Sequence, residues 1–160
     1  MRAKVKRSNE WGIYAIKEGV VLHSLTNESV YGNRLYIIHK CGHISLYAHL
    51  SMLFVEEGDK VKEGDLIGVM GQTGRGIPEP NKHLHIGLYP PGVDLRGVNA
   101  VNPVPFIVNG CYPCNTKVSG AFQELYTDYY HEGLDFSGRS ENLICKWKTG
   151  INPRKQKYYV

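Results

Sequence analysis

Glycine cuts this chain into short pieces, and that habit narrows the fold more than any other feature. Eighteen glycines are spread through 160 residues. The apolar runs between them have the length of strands, and the long 3.6-residue periodicity of helices is missing. Residues 12–16 lead through Lys17-Glu18-Gly19 into residues 20–22, an expected hairpin-like pair. Residues 34–39 are expected as a strand, Lys40-Cys41-Gly42 as a turn and residues 43–49 as the returning strand. Between Val55 and Asp65 the unit Val-x-x-Gly-Asp-x-Val-x-x-Gly-Asp sets glycines where the backbone turns sharply and apolar residues where they face inward. Residues 69–74 are a short strand entering a loop, 76–81 a polar excursion, 90–97 a second loop and 102–106 an extended closing segment. The expected class is all-β, mainly antiparallel.

A chain of this length suits one well-buried domain. Its apolar and charged fractions, 42% and 21%, are those of a soluble globular protein. No stretch approaches the ~20 apolar residues of a membrane span, and the basic N-terminus has no apolar region behind it, so no signal peptide is expected. The net charge of +4 suits an anionic polymer. Without a dense Lys/Arg stripe, nucleic acid is not expected as a partner. Of the four cysteines, Cys111 and Cys114 form one Cys-x-x-Cys in a turn-rich stretch, which fits a loop disulfide or two free thiols better than a metal site. Cys41 and Cys145 carry no assignment.

The chemistry gathers around Lys82-His83-Leu84-His85-Ile86-Gly87-Leu88. On a strand, residues i and i+2 share a face, so His83 and His85 stand side by side, either on a solvated face or at a metal. Two further signals accompany them: His131-x-x-x-Asp135, and His49 within Tyr47-Ala48-His49-Leu50-Ser51. A catalytic zinc takes three protein ligands of imidazole and carboxylate type and keeps one position open. His131, Asp135 and His85 make such a set, with Gly133 letting the backbone bend between the first two. His49 and His83 remain for proton transfer and oxyanion stabilisation. His23, His39 and His43 are given no role.

The run 12–106 resembles the lysostaphin-type (LytM-like) zinc metallopeptidases, the peptidoglycan endopeptidases. The strings YAIKEGVV, YGNRLYIIH, LYAHLS, VEEGDKVKEGDLIGVMGQTG and HLHIGL occur in that family's order. The resemblance implies an antiparallel domain with a duplicated-hybrid-motif-like β core, one zinc per chain, and cleavage of peptide bonds in cross-bridges or stem peptides. It gives His85 the metal position of His-x-His, and His83 and His49 the two non-ligand catalytic positions. The family's His-x-x-x-Asp motif normally precedes the YAIKEGVV segment. Here VSGAFQELYTDYYHEGLDFSG, which is similar to the usual opening stretch, comes last. The expected organisation is therefore a single circularly permuted peptidase domain over residues 1–160. Its parts are a β core at 9–107, a linker at 108–117 (NGCYPCNT at its centre), a permuted segment at 118–140 and a tail at 141–160. Permutation is tolerated where termini lie at the surface. The segment GIPEPNK before the His-Leu-His strand is longer than the family's usual loop.

The resemblance implies a zinc endopeptidase working outside the cytoplasm on the cell wall, whether periplasmic, secreted or phage-delivered. Its partner is peptidoglycan, and a monomer is expected, with a domain-exchanged dimer as the alternative. A catalytically inactive cell-wall-binding or hydrolase-activating relative is the competing function. A lipoyl- or biotin-type carrier, which shares the Val-x-x-Gly-Asp hairpin, lacks the lysine it needs within GVMGQTG.

Overall fold

The computed structural model describes residues 11–27, 29–75, 82–103, 117–120 and 134–137. Among the described residues ten strands run in chain order: β1 (Gly12–Tyr14), β2 (Gly19–Leu25), β3 (Arg34–His39), β4 (Ile44–Ala48), β5 (Leu50–Leu53), β6 (Lys60–Val61), β7 (Leu66–Met70), β8 (Leu84–Tyr89), β9 (Lys117–Gly120) and β10 (Leu134–Ser137). They form a seven-stranded sheet ordered β6-β2-β3-β4-β8-β10-β9 and a three-stranded sheet ordered β1-β7-β5. Every strand pairing is antiparallel. No helix among the described residues is long and apolar enough to cross a membrane.

The core lies between the two sheets. Ile13, Leu50, Ile67 and Met70 from the small sheet meet Val21, Leu35, Ile37, Tyr47, Leu84 and Ile86 from the large one. Side chains as fully buried as Leu35, Ile37, Leu50 and Ile67 each contribute about 1.5–3 kcal/mol. The far face of the large sheet is also covered at its centre. There Tyr36, Leu46, Ala48 and Tyr89 pack with Tyr31, Leu95 and Ala100. Burial on both faces explains why β3, β4 and β8 are almost continuously apolar in sequence instead of alternating.

The Val-x-x-Gly-Asp repeat consists of two similar turns. In each, the glycine takes a left-handed backbone, φ 89° at Gly58 and 82° at Gly64. The aspartate that follows reaches back to a main-chain N–H three residues earlier: Asp59 Oδ2 accepts from Glu56 and Asp65 Oδ2 from Lys62, both at 2.8 Å. The turns then dock on neighbouring chain, Gly58 N–H donating to the Val21 carbonyl and Gly64 N–H to that of Ala15.

One expected pairing is corrected. Residues 12–16 and 20–22 do not form a hairpin: β1 pairs with β7 in the small sheet, and β2 with β3 and β6 in the large one. The backbone groups between them bond elsewhere. Ala15 N–H donates to the Asp65 carbonyl and Ile16 N–H to Tyr47 Oη, so residues 15–18 carry the chain from one sheet to the other. The strand at 34–39 and its return occur as expected, in β3 and β4. The expected linker to residue 117 overlaps β9, which begins at Lys117. Cys41, in the β3–β4 turn, is exposed and carries a free thiol. The readings of the N-terminus, residues 76–81, Cys111, Cys114, Cys145, His131 and the tail lie outside the described residues.

Candidate active site

Strand β8 lies between β4 and β10 near the middle of the large sheet. Leu84 and Ile86 point into the core between the sheets, which leaves His85 on the opposite face with Tyr89. His83 sits just ahead of β8, its N–H donating to the Gly71 carbonyl at 3.2 Å. On one side of β8, Ala48 pairs with His85. On the other, Asp135 of β10 is directly opposite His85 in register.

That register brings the expected residues together. His85 Nδ1–H donates to Asp135 Oδ1 at 2.8 Å, and His83 Nε2 lies 4.0 Å from Asp135 Oδ2. The His49 ring is 4.6 Å from that of His83 and 6.0 Å from that of His85, centroid to centroid. His49, His83 and His85 are each at most 6% exposed, and the Asp135 side chain is 17% exposed. Three imidazoles and one carboxylate thus share a secluded pocket. His131, the third expected ligand, lies outside the described residues. Among the described residues no three His, Cys, Asp or Glu side chains converge as a complete metal cage.

His49 occupies the single position between β4 and β5 where the chain leaves the large sheet for the small one. Its backbone is left-handed, φ 61°, alone among the described non-glycine residues. Such a conformation costs roughly 1–3 kcal/mol and persists where surrounding bonds enforce it. They do so here. His49 N–H donates to the Tyr31 carbonyl and Leu50 N–H to the Asn33 carbonyl, while His49 Nδ1–H donates to the Thr73 carbonyl at 2.8 Å. Burial pushes the His49 imidazole down to about 4, with the neighbouring His83 and His85 adding to the effect against the opposing pull of the Thr73 carbonyl and Asp135. His49 is therefore neutral near pH 7. With Nδ1 donating, Nε2 carries the lone pair.

Two further residues belong to this site although the sequence gives no reason to single them out. The Tyr31 ring packs 5.5 Å from the His85 ring, and Thr73 holds His49 through its main chain. In the sequence each merely has a glycine next to it, and only the structure brings Gly32 against Thr73. A Cβ on Gly32 would fall 2.4 Å from the Thr73 carbonyl carbon.

His39, given no role from sequence, is buried in a polar chain well apart from this pocket. Its Nδ1 is 2.8 Å from the Glu18 carbonyl and its Nε2 2.8 Å from Ser45 Oγ. Ser45 Oγ lies 3.3 Å from Tyr47 Oη, a phenol that burial pushes up to about 12.

Comparison with known proteins agrees with the antiparallel β fold. Over 73 residues, 46% of its length, the chain is 42% identical to the peptidoglycan DD-endopeptidase ShyC of Vibrio cholerae. Over 119 residues, 74% of its length, it is 29% identical to the glycyl-glycine endopeptidase ALE-1 of Staphylococcus capitis. The matched stretches span only 16% and 32% of those two relatives. Among solved structures, the catalytic domain of the antimicrobial peptidase lysostaphin from Staphylococcus simulans superposes with a TM-score of 0.56 at 29% identity. That alignment covers 64% of this chain and 74% of the other. A profile of peptidase family M23 matches residues 3–103, a stretch that holds His49, His83 and His85 and stops before the strand of Asp135. With more than half of its length matched in this way, the chain belongs to peptidase family M23.

Proposed function

We propose that this chain is a circularly permuted zinc endopeptidase that hydrolyses peptide bonds of bacterial peptidoglycan, in cross-bridge or stem peptide, outside the cytoplasm. The observation that carries the reading is the meeting of Asp135 with His85 in one chain, through β10 pairing beside β8. The family match ends at residue 103, so the aspartate comes from sequence beyond it, as a permuted order requires.

The donors suit zinc. A carboxylate oxygen and an imidazole nitrogen converge at one buried spot, the ligand types zinc selects, and His131 would be the third on the motif reading. His131, Asp135 and His85 would hold a zinc ion, which when bound would supply Lewis acidity toward water and a peptide carbonyl. The rest is the work of the chain's own side chains. Neutral His49, with Nδ1–H tied to Thr73, offers Nε2 to take a proton and later return it to the departing amine. His83, whose ring neighbours both His49 and His85, shares that proton traffic or donates a hydrogen bond to the developing oxyanion.

The test is the purified chain on cell-wall sacculi, with free amines as the readout. Amine release should be abolished by a chelator and restored by zinc. Zinc-loaded protein that binds sacculi and releases no amines would overturn the peptidase reading in favour of an inactive wall-binding relative.

A further inference from the structure

We propose that Thr73 is a positioning residue that sets the tautomer and orientation of His49. The inference rests on the catalytic reading of His49 for its consequence in turnover, and on geometry alone for its effect on the imidazole. Three segments distant in sequence meet at this residue. Its hydroxyl accepts the Asn33 N–H at 3.0 Å and donates to the Leu50 carbonyl at 2.8 Å. Its own carbonyl accepts His49 Nδ1–H at 2.8 Å. The two sides of one residue thus do complementary things. The hydroxyl ties the Tyr31-Gly32-Asn33 segment to the start of β5, and the carbonyl grips the side chain of the residue immediately before that strand.

The arrangement is over-determined. His49 N–H bonds to Tyr31 and Leu50 N–H to Asn33, so the left-handed residue and its successor are both held by the segment that the Thr73 hydroxyl holds. Gly32 leaves room for this. A Cβ there would sit within 2.5 Å of the Thr73 carbonyl carbon, carbonyl oxygen and Oγ1. Gly74 closes the other side, where a Cβ would fall 3.2 Å from His49 Nδ1. A main-chain carbonyl can only accept, so the proton of a neutral His49 is confined to Nδ1 and the lone pair to Nε2. A valine at position 73 keeps the shape and loses both hydroxyl bonds. The carbonyl is then free to shift, and the imidazole can exchange tautomers and turn. Serine preserves the hydroxyl.

The experiment is long-range 1H–15N correlation of the imidazoles in the metal-free full chain, with the His49 signals assigned by their loss in H49Q. Wild type and T73S are expected to show the Nδ1–H tautomer. T73V is expected to show a mixture of tautomers with the rest of the spectrum little changed. In the zinc-loaded enzyme, T73V should lose roughly 10- to 100-fold in kcat with KM within about twofold, and T73S should recover most of it. An Nε2–H tautomer in wild type would overturn the proposal whatever the variants do, including a T73V that fails to fold. So would a T73V chain that keeps the pure Nδ1–H form, or a T73S chain as impaired as T73V. Because the tautomer is read without metal or substrate, a chain that proves inactive on peptidoglycan still tests it.

Discussion

Asp135 Oδ1 lies 2.8 Å from His85 Nδ1 although fifty residues separate the two in the chain. The closeness is a matter of strand register: β10 runs antiparallel to β8 with the two residues directly opposite. Opposed residues of an antiparallel pair have Cβ atoms about 5 Å apart and on the same face, which lets an aspartate reach an imidazole. A shift of one residue would turn the carboxylate to the other face of the sheet. The pairing of these two strands, more than either residue alone, determines whether the site exists.

Replacing that carboxylate tests it as a ligand. Asp135→Ala should weaken zinc binding by more than the roughly 10- to 100-fold typical of an outer-shell partner, measured by competition with a chromogenic chelator. Affinity equal to wild type would remove Asp135 from the ligand set.

The two other histidines should behave differently. His49→Ala and His83→Ala are expected to retain zinc and lose roughly 100-fold or more in turnover on cell-wall substrate. Zinc content and rate measured on the same preparations separate the roles, and loss of metal in either variant would make that histidine a ligand.

Gly32→Ala should destabilise the fold as well as the site. A left-handed backbone, φ 60°, disfavours alanine by about 1 kcal/mol, and overpacking against Thr73 adds about 1–3 kcal/mol. Denaturant titration is expected to show a total loss of about 2–4 kcal/mol. A midpoint equal to wild type would mean the Gly32–Thr73 contact is looser than the structure has it.

His39 should make stability fall in mild acid. Burial lowers its pKa from 6.5, the Glu18 carbonyl opposing. The carbonyl accepts from Nδ1, so neutral Nε2 accepts from the Ser45 hydroxyl, and protonation would turn that acceptor into a donor. The folded state therefore binds the proton less readily than the unfolded chain. The contribution is intact above about pH 6.5 and is lost as pH falls from there toward the lower folded value. Urea midpoints between pH 8 and 5 should show this decline, and His39→Gln should flatten it. An equal slope in the variant would assign the effect elsewhere.

What could be seen in the sequence followed how local the physics is. The strands β3, β4 and β8 stand out because they are buried on both faces and so appear as apolar runs, and the Gly-Asp turns because each closes within four residues. The expected 12–16/20–22 hairpin failed because proximity in sequence was a poor guide to partnership. The partner of β1 is β7, more than fifty residues on. At the site, His49, His83, His85 and Asp135 were visible through motif spacing, since each acts through a distinctive side chain. Thr73 was not, because it acts on His49 through a main-chain carbonyl, which no residue type advertises. His39 escaped for a related reason: its bonds run to residues 18 and 45, and nothing in its immediate neighbours marks it as buried.

The claim that one chain completes the site is tested most directly by native mass spectrometry of the 160-residue chain after zinc reconstitution. The expected result is one zinc on the monomer, absent from His85→Ala and from His131→Ala, with no zinc recovered when those two variants are mixed. Zinc found only on a dimer, or recovered by mixing the two variants, would contradict a site built within a single permuted chain.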